Sequence, residues 1–127
     1  MYLVGKYTIK LCIDLDPGIY VFDPESATGK TRLYGLLHKY QAYGEPVVGY
    51  TSDDYVIGLD ISDLLKGKSC KVLMFDRYDR YAGAFEKEIT ELSKTSIILI
   101  DCKGELHIDC DFKNCSIKME EKSIEVF

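Results

Sequence analysis

Three sets of residues have the types and spacing that chemistry needs. The first is Gly29-Lys30-Thr31, which closes a polar run from Asp23 and opens an amphipathic segment. A helix start suits an anion, because free backbone N–H groups and the helix dipole both favour negative charge there. The second is a pair of carboxylates, Asp76 and Asp101, each ending a wholly apolar run. The third is Cys102, His107, Cys110 and Cys115, the residue types of a zinc site or a Cys–His nucleophile pair. The third set is the weakest. Its spacing lacks the close pairs of a zinc knuckle, and in a strand His107 and Cys110 point to opposite faces. No orienting group or electropositive setting accompanies the thiols, so small half-buried cysteines are the expected reading. His38, beside Leu37, is expected to face solvent.

These groups need elements to hold them. Tyr7, Ile9, Leu11 and Ile13 alternate with Lys6, Thr8, Lys10 and Cys12, the period of a half-buried strand. Asp14-Leu15-Asp16-Pro17-Gly18 is turn chemistry, and Ile19-Tyr20-Val21-Phe22 is wholly apolar, as in a sheet covered on both faces. Together they predict an antiparallel hairpin. Leu33, Leu36, Leu37, Tyr40 and Tyr43 recur at helical spacing, predicting a helix from Lys30 to Ala42 that ends near Gly44. Strands are predicted over Pro46–Thr51, Val72–Phe75 and Ile97–Ile100. A short helix after Asp60 would hold Leu64 and Leu65 and stop at Gly67. A longer one carries Ala82, Phe85, Ile89 and Leu92 on one face. The end of the chain reads as short strands over Leu106–Asp109, Ser116–Met119 and Ser123–Val126. Alternating strands and helices with apolar strands predict a three-layer α/β sandwich: a mainly parallel central sheet, an N-terminal antiparallel hairpin and C-terminal antiparallel strands. No linker or repeat divides the 127 residues, so one domain, 1–127, is expected.

Pro24-Glu25-Ser26-Ala27-Thr28-Gly29-Lys30-Thr31 resembles the Walker A pattern of P-loop NTPases, with a buried strand before it and a helix after it. Val72 to Asp76 resembles a Walker B strand. The Pro17-Gly18 turn is similar to the one that precedes the phosphate loop in ABC-type and AAA-related ATPases. The resemblance implies bound ATP or GTP with Mg²⁺. Ser26, Thr28, Gly29, Lys30 and Thr31 would contact the nucleotide, with Lys30 on the terminal phosphates. Thr31 and Asp76 would organise the metal, and Asp101 would sense the phosphate or position water. Two departures bear on activity. Pro24 stands where the pattern has glycine, and Arg77 follows Asp76 where many of these ATPases carry a catalytic glutamate; Asp79 lies two residues further on. The implied activity is nucleotide binding with weak or no hydrolysis.

Composition narrows the partners. Asp and Glu outnumber Lys and Arg, 21 to 16, for a formal charge of −5. With no basic run, nucleic acid is not expected, and a protein partner with a basic surface is the easier match. The alternative reading is therefore a catalytically inactive P-loop-like fold that binds protein. One form of it is a phage or mobile-element inhibitor of a host defence nuclease, of the anti-CRISPR kind. Tyrosine is abundant, 10 residues, with Tyr50, Tyr55, Tyr78 and Tyr81 near Asp53, Asp54, Asp76 and Asp79. Such rings suit an interface, although rings capping the core are the first expectation. No signal peptide or membrane-length apolar stretch is read, and five irregularly spaced cysteines suit a reducing cytoplasm.

Overall fold

The computed structural model describes residues 1–23, 29–50, 70–76, 86–102 and 110–127. Within them lie nine strands: β1 (Tyr2–Val4), β2 (Lys10–Ile13), β3 (Gly18–Phe22), β4 (Val47–Tyr50), β5 (Val72–Phe75), β6 (Ile97–Ile100), β7 (Lys113–Cys115), β8 (Ile117–Met119) and β9 (Ser123–Val126). Two helices accompany them, α1 (Lys30–Ala42) and α2 (Glu86–Leu92). The expected helix after Asp60, the strand over Leu106–Asp109, and Ala82 and Phe85 lie outside the described residues.

The central sheet has five strands, ordered β4-β5-β6-β3-β7, all parallel. Its strands alternate between two cores. Tyr20, Phe22, Val72, Met74, Ile97 and Leu99 face α1, where Leu33, Leu36, Leu37 and Tyr40 meet them. Ile19, Val21, Leu73, Phe75, Ile98 and Ile100 face Ile89 and Leu92 of α2. Burial on both faces is why these strands read as unbroken apolar runs. The helices take opposite faces for a topological reason. From β3 the chain moves outward to β4, whereas from β5 to β6 it steps back, and right-handed crossovers in opposite directions put their helices on opposite sides.

A second sheet, ordered β1-β2-β9-β8, packs on the α1 side, where Leu11, Ile13, Ile124 and Val126 join that core. Here the hairpin expectation needs correction in detail. The N-terminal antiparallel hairpin exists, but β1 and β2 form it, with Tyr2 opposite Ile13. β3 belongs to the other sheet. The cause is visible in the burial. β2 buries Leu11 and Ile13 but leaves Cys12 half-exposed, whereas β3 buries residues on both sides. A one-faced and a two-faced strand fit different layers, and the Asp14–Pro17 connection carries the chain between them. The antiparallel C-terminal strands are β8 and β9. β9 also runs parallel to β2, and β7 joins the central sheet beside β3.

α1 ends as its sequence requires. Gly44 takes φ +91°, its N–H donates to the Gln41 carbonyl, and the Glu45 N–H reaches back to the Tyr40 carbonyl. This is a Schellman closure, which needs a residue tolerant of the left-handed region. Among the described residues, no helix is long and apolar enough to cross a membrane.

Candidate functional site

The chain leaves β3 in one direction, returns through β4, β5 and β6, and then passes β3 to reach β7. The strand order therefore reverses between β3 and β6. In open α/β sheets, the crevice beyond the carboxyl ends of such strands is where ligands bind. Three carboxylates follow three adjacent strands there: Asp76 after β5, Asp101 after β6 and Asp23 after β3. The strand hydrogen bonding continues into them. The Asp76 N–H donates to the Tyr50 carbonyl, that of Asp101 to Phe75 and that of Asp23 to Cys115.

Lys30 is the first residue of α1 and is 8% exposed, an unusual state for lysine. Its Nζ lies 3.1 Å from Oδ1 of Asp101, itself 2% exposed. The pairing of charge is good, but the pairing of hydrogen bonds is not. Among the described residues Oδ1 has no aligned donor, so Lys30 neutralises the carboxylate without satisfying it. The Phe22 ring lies 6.0 Å from the same ammonium, at the outer limit of a cation–π contact. Cys115 completes the surround: burial pushes its thiol up to about 12, with Lys30 pulling the other way.

Gly29 caps α1 with φ +107°, a conformation that side chains rarely adopt. A Cβ there would also run into the Met119 sulfur and touch Ile117, so β8 walls this side of the loop. Gly29 offers no side chain to cap the helix, and the first turn has no acidic residue. Its leading N–H groups and dipole thus keep their attraction for an anion. Thr31 is exposed on that first turn, and Asp76 is half-buried at the end of β5.

Lys30, Asp101 and Gly29 therefore come together, and Asp76 ends the next strand over. Ser26, Thr28, Pro24, Arg77 and Asp79 lie outside the described residues, as do Asp53, Asp54, Tyr55, Tyr78, Tyr81 and His107. All five cysteines are free thiols. Cys70, Cys102 and Cys110 pack on the α2-side core, whereas Cys115 lies in the α1-side core. Among the described residues, no group of three or more His, Cys, Asp or Glu side chains is placed to hold a metal ion. His38 is exposed, with its ring 5.5 Å from that of Tyr34.

Sequence reasoning did not name Phe22, Cys115, Ile117 or Met119 as neighbours of Gly29 and Lys30. Phe22 was within reach, since alternation in β3 puts it on the face of α1. The other three depend on where β7 and β8 dock, which no local pattern encodes. A scan against protein-family models and searches of curated proteins and of solved structures find no match to this chain.

Proposed function

We propose that this protein binds a nucleoside triphosphate, ATP or GTP with Mg²⁺, at the carboxyl ends of β3 and β6, with weak or no hydrolysis. The observation that carries the reading is Lys30, held at the start of a helix with glycine at its N-cap, against a carboxylate at the point where strand order reverses. In the bound state Lys30 turns from Asp101 to the terminal phosphates, and the α1 N–H groups take the remaining phosphate oxygens. The donors suit the metal. Mg²⁺ is usually held by one or two protein oxygens with phosphates and water, which Thr31 and Asp76 can supply without a larger cluster. Asp101, released from Lys30, is left to position water or sense the phosphate.

The test is a thermal-melt and calorimetric titration with Mg-ATP and Mg-GTP. Nucleotide at 100 times its dissociation constant adds about 2.7 kcal/mol of stability. A Lys30→Met/Asp101→Asn double variant, which removes both charges together, abolishes that gain. No stabilisation of the parent protein at millimolar nucleotide overturns the proposal.

One observation favours a second reading. Met119 and Ile117 close on Gly29, and Lys30 is already engaged, as befits a P-loop-like scaffold that serves as a protein-binding module for a basic partner. On that reading the double variant leaves partner binding intact, and nucleotide has no effect on either protein.

A further inference from the structure

At the other end of α1, the loop before β2 and the last turns of the helix enclose a cleft of about 410 Å³, within the size range of small-ligand sites. Its floor is aliphatic, from Ile9 and Leu36. Its walls are tyrosine. The Tyr7 ring lies 4.7 Å from Tyr40 and 5.1 Å from Tyr43, and Tyr40 and Tyr43 are stacked at 6.3 Å. Its rim carries two ammonium groups, Lys6 and Lys39.

The cleft is held in shape before any ligand arrives. Glu45 accepts hydrogen bonds from the Tyr7 hydroxyl at 2.8 Å and the Tyr2 hydroxyl at 3.1 Å, and pairs with Lys6 at 2.8 Å. The Tyr40 hydroxyl bonds to the Ile9 carbonyl. These contacts fix Tyr7 and Tyr40 while leaving Tyr43 at the surface, 53% exposed. Glu45 is consumed by the same contacts and does not line the cleft. Among the described residues no carboxylate does. With Lys6 offset by Glu45, the charge left at the rim is that of Lys39, and three tyrosine rings share the lining with Ile9 and Leu36.

We infer that this cleft is a binding site for a small aromatic carboxylate, its ring against Tyr43 and Tyr7 and its acid group on Lys39. Each part of the ligand answers a feature of the cleft. A planar π system gains offset stacking that a saturated ring does not. A carboxylate gains the Lys39 ammonium, whereas a cation of the same shape meets a like charge there. The α1 C-terminus opposes an anion only weakly, because the Gly44 and Glu45 N–H groups already bind its carbonyls and Lys39 sits in its last turn. The site shares no residue with the crevice at Lys30.

The experiment titrates the full chain with 2-naphthoate, read by calorimetry and by amide chemical shifts. The comparison probes are 2-naphthylmethylamine, with the ring and the opposite charge, and cyclohexanecarboxylate, with the charge and no π face. Naphthoate is expected to bind saturably and to shift residues 6–9 and 36–43, with both comparison probes markedly weaker. Tyr43→Ala weakens it about tenfold and Lys39→Gln about threefold, Lys39→Gln with an unchanged melting temperature. Equal binding of the amine, shifts that map elsewhere, variants without effect, or no saturation at millimolar naphthoate each overturn the inference.

Discussion

The two ends of α1 each hold a lysine against a carboxylate, and they do so in opposite ways. At the C-terminal end, the Lys6 side chain is 67% exposed and the Glu45 side chain 13% exposed, with three donors serving one carboxylate. At the N-terminal end, Lys30 and Asp101 are 10% and 3% exposed at their side chains, and among the described residues one carboxylate oxygen lacks an aligned donor. The first is a satisfied clip that ties the β1–β2 hairpin to the helix end. The second is a buried pair short of its hydrogen bonds, which costs desolvation and returns little unless something else completes it. A pair kept in that condition, at the crevice where strand order reverses, is weak evidence for stability.

The contrast can be broken most directly at Lys30. Lys30→Ala leaves Asp101 buried and unpaired, and should destabilise the fold by about 3–5 kcal/mol in denaturant titrations. Lys30→Met/Asp101→Leu, with no charge left to desolvate, should return most of that loss. A single variant as stable as the parent would mean that the buried pair is not a pair in solution.

Alkaline pH sharpens the comparison next. In the unfolded chain the Cys115 thiol ionises near 9, but in the fold burial pushes it up to about 12. Between those values the unfolded state gives up its proton first. Stability should then fall as pH rises, by about 1.4 kcal/mol per pH unit from this group. Urea melts of the parent and Cys115→Ala measure it as a difference in slope above pH 9.

Gly29→Ala comes third. A left-handed residue with a side chain costs about 1–2 kcal/mol, and here Met119 must also move. A Gly29→Ala/Met119→Ala pair separates the two costs, since only the contact is relieved.

The smallest effect belongs to Glu45. Hydrogen bonds from Lys6 and Tyr7 hold its carboxyl below the ordinary range. Its contribution is complete above the unfolded value near 4.5 and is lost as pH falls through the lower folded value. Glu45→Gln should therefore flatten the acid limb of a stability profile and lower the melting temperature at neutral pH by the same small amount, because the partner Lys6 is largely exposed.

Much of this fold was legible because its strands and helices are locally consistent. The apolar runs at Val72–Phe75 and Ile97–Ile100 and the helix Lys30–Ala42 occur as their patterns predict. Gly44 ends that helix for the reason its residue type suggests. The partnership of β2 was not legible, since a half-buried strand next to a turn reads the same whether it pairs forward or back. β1 and β7, three residues each, are too short to leave a period. The placement of Lys30 and Asp101 on neighbouring elements followed from the helix-after-strand reading. Their ion pair did not, because it needs the order of strands, which the chain sets only by folding.

The parallel pairing of β2 with β9 has a consequence for how the protein is made. Lys10 aligns with Ser123 and Ile13 with Val126, so β2 waits for a partner that lies far along the chain. Contacts of such long range close late and slow folding. The strand that walls Gly29, β8, hangs from β9 and comes in the same final step. A nascent chain short of β9 would carry α1 and its lysine without the Met119 wall. The crevice would gain that wall only once β8 and β9 have paired.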